Sequence, residues 1–315
     1  AGAGGSFELL EESHCAAISE TVFAPPGSFG INGGGEGGPK IVVSASADGS
    51  LHAWSLEPCL RSVMKAVCKN VGGATCVAFT PDALLTGWGD GNVRCHDSAS
   101  GELLWTLPNA NPGGVTRVAT AHGLHFFVTG GVNGEVRIWD MRTRSMISHL
   151  KEHSGRVVAL AVLDGDQHVV SASRDRSVIT WDLIRERRVS SHQQRIGGIN
   201  AAVVCQAADM IQVVSVGQDR SLTFWDLREP QPLQVVPGAH GQECTCAALS
   251  SEGVLATGSK DQRIKLWDFE TGRLLAEEHG HCKSVLSLAF SADGRTLVSG
   301  GEDAVVMVWR VDARK

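Results

Sequence analysis

An all-β protein, built from seven repeated four-stranded blades into a closed β-propeller, is predicted by three observations. First, an aspartate or its stand-in recurs at Asp48, Asp90, Asn133, Asp175, Asp219, Asp261 and Asp303, at spacings of 42, 43, 42, 44, 42 and 42 residues. Second, a tryptophan follows six residues after most of them, at Trp54, Trp139, Trp181, Trp225, Trp267 and Trp309, with His96 in that place in the second period. Third, short β-branched, apolar runs fill each period, separated by glycine, aspartate and polar residues. A period in the low forties fits four short strands per unit, and such units are stable only when stacked. A length of 315 residues alone suggests about two domains. The repeat overrides that prior and predicts one propeller over residues 6–315.

The elements follow in order. AGAGG (1–5) reads as a flexible linker, and a chain opening at Ala1 rather than Met is expected to be part of a longer polypeptide. SFELL (6–10) alternates and precedes the first repeat. The last repeat ends at its third strand, VVMVWRV (305–311), so residues 6–10 are expected to supply its outer strand and remove an exposed edge. PPGSFGINGGGEGGPK (25–40) is too rich in glycine for a packed element and is expected to be a mobile loop insertion. No Lys-Ser/Thr follows it, which argues against a phosphate cradle. Blade 4 is the cleanest repeat: RVVALAV (156–162), the loop LDGDQ (163–167), HVVSAS (168–173), a tight turn at 174–176, SVITWDL (177–183) and RRVSSH (187–192).

These residues resemble the WD40 family along nearly the whole chain. The resemblance implies, in each blade, a buried hydrogen-bond chain from Trp through Ser/Thr and His to Asp. Three blades carry the full set: His153, Ser171, Asp175, Trp181; His240, Thr257, Asp261, Trp267; and His281, Ser299, Asp303, Trp309. The physical logic stands without the family. Buried indole, hydroxyl, imidazole and carboxylate groups are each costly alone, and each satisfies the next. Blade 1 keeps Ser44, Asp48 and Trp54, with His14 to complete it. Blade 2 keeps Thr86 and Asp90, with His96 in the Trp place and Cys68 in the His place. Blade 3 keeps Thr129 and Trp139, with Asn133 for Asp and Asn111 near the His place. Blade 5 keeps Ser215, Asp219 and Trp225, with Gly197 near the His place. A His-Ser-Asp set also invites a catalytic reading. It is set aside because the sets recur once per blade and are expected to be buried, whereas a triad needs an accessible nucleophile.

Composition narrows the function classes. A net charge of -6 argues against bulk attraction to nucleic acid or anionic lipid. No apolar run reaches the roughly 18 residues needed to span a bilayer. The nine cysteines include no CxxC pair. Cys76, Cys205 and the pair Cys244 and Cys246 fall on expected strands and read as reduced core residues of a cytosolic protein. No HExxH, GxSxG, P-loop or zinc-spaced cluster occurs, so no catalytic residue, metal or cofactor is assigned. His279, beside His281, reads as a solvated loop residue.

The informative surface is the rim that carries the turns between second and third strands. The residues preceding the turn aspartates are Arg174, Gln218, Lys260 and Glu302 in blades 4 to 7, and Ala47, Gly89 and Val132 in blades 1 to 3. Arg156, Arg176, Arg195, Arg220 and Lys283 extend the charged arc. It reads either as a solvated rim or as a docking site for an acidic or phosphorylated peptide, with Arg174 and Lys260 among the anchors. A second cluster, IRERR (184–188), is placed in the turn between third and fourth strands, on the opposite face. It reads as a solvated turn or as a contact for an acidic partner such as tubulin. The segments KEHSGRVVAL (151–160), SASRDRSVITWDLIRERR (171–188) and VSVGQDRSLTFWDL (214–227) resemble cilia- and flagella-associated WD-repeat proteins of the axoneme. That resemblance implies a non-enzymatic scaffold in a cilium, flagellum or other microtubule-based assembly, with tubulin or axonemal proteins as partners. Trp139-Asp140-Met141-Arg142 and Trp225-Asp226-Leu227-Arg228 match the WDxR pattern of cullin-type ubiquitin-ligase substrate receptors, which is the alternative reading.

Overall fold

The computed structural model describes residues 7–9, 14–25, 40–56, 61–67, 72–98, 100–207 and 210–311. The linker at 1–5, most of the glycine-rich segment at 25–40, and Cys68 lie outside the described residues. The described chain forms strands and turns: β1 (Phe7–Leu9); then β2 (Ile18–Phe23), β3 (Ile41–Ser46), β4 (Ser50–Ser55) and β5 (Arg61–Val67) of blade 1; and β6 (Ala74–Phe79), β7 (Ala83–Trp88), β8 (Val93–Asp97) and β9 (Leu103–Leu107) of blade 2. Blade 3 holds β10 (Val115–Thr120), β11 (Phe126–Gly131), β12 (Val136–Asp140) and β13 (Met146–Leu150). Blade 4 holds β14 (Val157–Val162), β15 (His168–Ser173), β16 (Ser177–Asp182) and β17 (Arg187–Gln193). Blade 5 holds β18 (Ile199–Ala207), β19 (Met210–Gly217), β20 (Leu222–Asp226) and β21 (Gln234–Val236), and blade 6 holds β22 (Cys244–Leu249), β23 (Val254–Ser259), β24 (Arg263–Asp268) and β25 (Leu274–His279). Blade 7 holds β26 (Val285–Phe290), β27 (Thr296–Gly301) and β28 (Val306–Arg310).

Each blade is a four-stranded sheet in meander order, and the seven make a seven-bladed β-propeller. Blade 7 takes its fourth strand from the start of the chain: β1 pairs antiparallel with β28, with Phe7 opposite Trp309, Glu8 opposite Val308 and Leu9 opposite Met307. Two compact units can be distinguished. In the unit holding residues 106–244, the core between blades 3 and 4 gathers Val128, Ile138, Val157, Val169 and Trp181. Between blades 4 and 5 it gathers Val158, Val170, Ile199, Val213 and Trp225. In the unit holding residues 245–315, Val254, Leu266, Val285, Leu297 and Trp309 fill the space between blades 6 and 7.

The turn from second to third strand explains the aspartate echo. The carboxylate of Asp175 accepts from the Ser177 amide at 2.9 Å and Asp48 accepts from the Ser50 amide at 2.8 Å, so each aspartate caps its own turn. The next residue is left-handed in all seven blades. It is glycine in blades 1 to 3 (Gly49, Gly91, Gly134), and Arg176, Arg220, Gln262 and Ala304 in blades 4 to 7, with φ of 75°, 61°, 71° and 65°. A side chain in this region costs roughly 1–2 kcal/mol, a cost glycine avoids.

Candidate interaction surface

Blade 4 shows the complete buried network. Trp181 Nε1 donates to Ser171 Oγ at 2.7 Å, His153 Nε2 lies 2.8 Å from the same hydroxyl, and His153 Nδ1 lies 3.0 Å from Asp175 Oδ2. The Ser154 amide and the Ser177 hydroxyl also donate to Asp175. Burial opposes ionisation of Asp175, but His153 and Ser177 outweigh it and hold the carboxyl well below the usual carboxylate range. Blade 7 repeats the geometry, with His281 Nε2 2.7 Å from Ser299 Oγ, His281 Nδ1 3.0 Å from Asp303 Oδ2 and Trp309 Nε1 donating to Ser299 at 2.8 Å. In blade 6 Trp267 Nε1 donates to Thr257 at 2.8 Å and His240 is buried. In blade 1 His14 Nε2 lies 2.7 Å from Ser44 Oγ, the acceptor of the Trp54 indole at 3.2 Å. In blades 1, 4 and 7 the serine hydroxyl of the set sits beneath imidazole and indole at 0% exposure, so no substrate reaches it as a nucleophile.

Two assignments by spacing are corrected. In blade 2 the indole donor is Trp88, on the second strand, bonded to Thr86 Oγ1 at 2.8 Å. His96, two per cent exposed, occupies the register position. Asp90 is bound instead by Arg94 at 2.6 Å, and that guanidinium stacks 4.6 Å over the Trp88 ring. In blade 5 the histidine place belongs to Gln194, not Gly197. Its Oε1 accepts from Ser215 Oγ at 3.2 Å, and Ser215 accepts from Trp225 Nε1 at 2.9 Å. The β18–β19 hairpin is longer than its counterpart in blade 4, Ile199 pairing with Gly217 where Val157 pairs with Ser173, which shifts the count back from Ser215. Gly197 lies against the Asp219 backbone. In blade 3 Asn111 is fully buried and donates to the Glu135 carbonyl at 3.4 Å, while Asn133 turns to the Pro112 carbonyl. Cys76, Cys244 and Cys246 are buried free thiols. Cys205 is only half-buried, and burial raises its thiol pKa.

The networks make acid stability testable. Burial opposes ionisation of Asp48, but the Ser50 hydroxyl, the Cys15 and Ser50 amides and His14 together bring its pKa down to about 2. A depressed carboxylate contributes stability that is fully present above its unfolded value and lost as pH falls through the folded one. The difference in unfolding free energy between the protein and Asp48→Asn is therefore expected to be constant above about pH 4 and to shrink towards pH 2. A difference that is flat across that window would show that Asp48 is not held by these donors.

On the predicted rim, Arg174, Gln218, Lys260 and Glu302 are all exposed on their turns, as are Ala47, Gly89 and Val132. The structure links only part of this set. In blades 4 and 5 the Arg174 amide donates to the Arg156 carbonyl at 2.9 Å, and the Gln218 amide donates to the Gly198 carbonyl at 3.0 Å. Gln218 Oε1 accepts back from the Gly198 amide at 3.0 Å. Arg176 Nη1 reaches the Arg195 carbonyl, and Arg220 Nη1 the Gly241 carbonyl, both at 3.5 Å. No described carboxylate pairs with Arg174, Arg176, Arg195 or Arg220. Elsewhere in blades 3 to 5, Arg137, Arg185, Arg188 and Arg228 are each ion-paired, to Glu135, Asp182, Glu152 and Asp226. Lys260, Lys283 and Glu302 stand on blades 6 and 7, in the other unit, where Ser284 Oγ donates to Glu302 at 2.8 Å. The IRERR cluster only begins in its turn: Arg187 and Arg188 belong to β17, and Arg188 is consumed by Glu152 at 2.7 Å. In the second WDxR motif the Arg228 guanidinium folds back on Asp226 at 3.1 Å.

Buried Trp-Ser/Thr-His-Asp chains, a meander blade and a last blade shared between both ends of the chain define a class: a WD40 propeller. The family model described as WD domain, G-beta repeat matches residues 101–140, 144–182, 230–268 and 272–310. The chain is a WD40-repeat protein. Each match starts on the outer strand of one blade and ends on the third strand of the next, the same stagger that joins β1 to β28. Cilia- and flagella-associated protein 52 of Mus musculus is 28% identical over 309 residues, covering 96% of this chain and 47% of its own. The Chlamydomonas reinhardtii protein of the same name is 28% identical over 307 residues with the same coverage. The chain thus spans about half the length of these curated relatives. The crystal structure of the WD40 β-propeller domain of Doa1 superposes with a TM-score of 0.80 over 98% of both chains, at 19% identity. The fold is generally a non-catalytic platform for protein–protein interaction.

Proposed function

We propose that the protein is a non-enzymatic scaffold of a cilium or flagellum, docking through the arginine face of blades 4 and 5 onto an acidic surface of the microtubule-based assembly. The observation that carries this reading is the set of four exposed guanidiniums, at Arg174, Arg176, Arg195 and Arg220, with no described carboxylate partner, on a chain of net charge -6. Arg176 and Arg220 support it further, because both keep a charged side chain where the backbone favours glycine. The names of the relatives supply the cellular setting, and tubulin and axonemal proteins are the partner class of matching charge. Guanidinium forks recognise carboxylates bidentately, and an exposed pair alone is worth little, so several must act together.

The test is co-sedimentation with purified axonemal doublets. Arg174→Glu with Arg176→Glu is expected to weaken binding at least tenfold, and raising salt to weaken the wild type in the same direction. A paired variant, Arg176→Gly with Arg220→Gly, separates binding from folding. At each of the two positions it relieves left-handed strain of about 1–2 kcal/mol but gives back about 0.4–1 kcal/mol in unfolded-chain entropy. Its unfolding midpoint is expected to equal or exceed that of the wild type while doublet binding falls. Unaltered binding by both folded variants would place the contact elsewhere.

A further inference from the structure

Blade 5 carries a groove whose counterpart in blade 4 is bridged. In blade 4, His153 completes the tetrad, and Arg188, opposite Trp181 on the outer strand, reaches the incoming loop at Glu152, 2.7 Å away. Blade 5 builds both places differently. Gln194 takes the place of the histidine on Ser215, and the outer strand β21 is three residues long, preceded by Pro230-Gln231-Pro232 where blade 4 has its ion-pairing arginine, while His192 Nε2 lies 2.9 Å from the Glu229 carbonyl. The result is a cleft of about 870 Å³ between the loop at 193–196 and the outer half of blade 5. Its walls are apolar at Ile196, Pro230, Pro232, Val235 and Pro237, and Ile196 is 72% exposed and Val235 48%. Its floor is one face of β20, with Thr223 and Trp225. At its mouth stands Arg195, unpaired, with Arg176 against its carbonyl. Asp219 also lines the cleft, but its carboxylate is taken by the amide and hydroxyl of Ser221.

We infer that this cleft is a binding groove for an extended peptide segment of a partner protein, one that sets an acidic side chain on Arg195 and aliphatic side chains against Ile196 and Val235. The charge at the mouth selects the acid, since no carboxylate among the described residues is ion-paired to Arg195. The proline-flanked walls select an extended chain, because they are fixed before binding and cost little ordering entropy. Exposed branched residues rimmed by polar ones are the usual mark of such a contact. The inference names a partner class for the same face as the scaffold reading and rests on that reading for its biological setting alone. Its test uses no axoneme, so the two can fail separately.

The probe is a random 16-residue phage-displayed peptide library selected on the intact chain, followed by synthesis of the converged peptide. Expected are an acidic residue within a few positions of aliphatic ones and a Kd weakened at least tenfold by Arg195→Glu and by Val235→Trp, the latter filling the cleft. Exchanging the peptide's acid for lysine is expected to restore binding to Arg195→Glu, an outcome that misfolding cannot give. A library that does not converge, a basic consensus, or a peptide indifferent to both substitutions overturns the proposal. So does concentration-dependent dimerisation of the free chain that Val235→Trp abolishes, which would make a second copy the occupant.

Discussion

Asp175→Ala is expected to destabilise the protein by about 2–3 kcal/mol, at the upper end of the range for leaving buried partners unsatisfied. The carboxylate accepts from the Ser154 and Ser177 amides and the Ser177 hydroxyl, and it faces His153 Nδ1 at 3.0 Å. Alanine leaves the two amides without this acceptor and leaves the Ser177 hydroxyl and His153 Nδ1, 2.8 Å apart, with only each other, which loosens the imidazole that holds Ser171 and, through it, the Trp181 indole. Asp219→Ala in blade 5 is the internal comparison. Asp219 meets only Ser221 there, and Gln194 bonds to Ser215 without it, so a cost of about 1 kcal/mol is expected. Urea midpoints at constant slope read the difference directly. Equal losses would mean that the tetrads act as turn caps alone and not as connected networks.

This comparison also shows where the sequence was legible. The aspartate echo gives seven blades because each aspartate binds the amides of its own turn, a local requirement that fixes its spacing. The blade 4 strands follow to within one residue at each end, since β-branched runs and turn residues alternate there without interruption. Spacing fails where the chain substitutes one group for another across the network. Trp88 delivers its indole from the second strand to Thr86 two residues away, a same-face neighbour that counting from Asp90 overlooks. Gln194 is missed because the longer β18–β19 hairpin displaces it from the counted place, and only the search for an acceptor for the Ser215 hydroxyl finds it. The rim residues were legible as exposed positions, but not which arginines are already paired. Glu152 takes Arg188 and Asp226 takes Arg228 through contacts that no periodicity records. The groove of blade 5 was invisible for a related reason: its walls are the loop at 193–196 and the proline-flanked outer strand, brought together by folding and marked by no repeat position.

Removing residues 1–9 is expected to have the largest effect on stability, about 2–4 kcal/mol from the backbone bonds of β1 at roughly 0.5–1.5 kcal/mol each. The strand pairs with β28 over Met307, Val308 and Trp309, in the sheet order β1-β28-β27-β26. Without it β28 becomes an uncovered edge beside the Trp309–Ser299 bond of the blade 7 network. The loss should appear in two ways. The melting temperature falls, and the folded protein self-associates, because an unpaired edge templates further strands. Glu8→Pro separates the strand's hydrogen bonds from its mere presence, since proline cannot donate to the ladder and fixes φ. It should give a smaller loss in the same direction. The pairing joins the two ends of the chain, so it forms late, after the entropy of closing almost the whole sequence has been overcome. The deletion should therefore speed unfolding more than it slows the first folding phase, in the manner of contacts absent from the transition state. A truncated protein with unchanged melting temperature and unfolding rate would show that blade 7 stands without its borrowed strand.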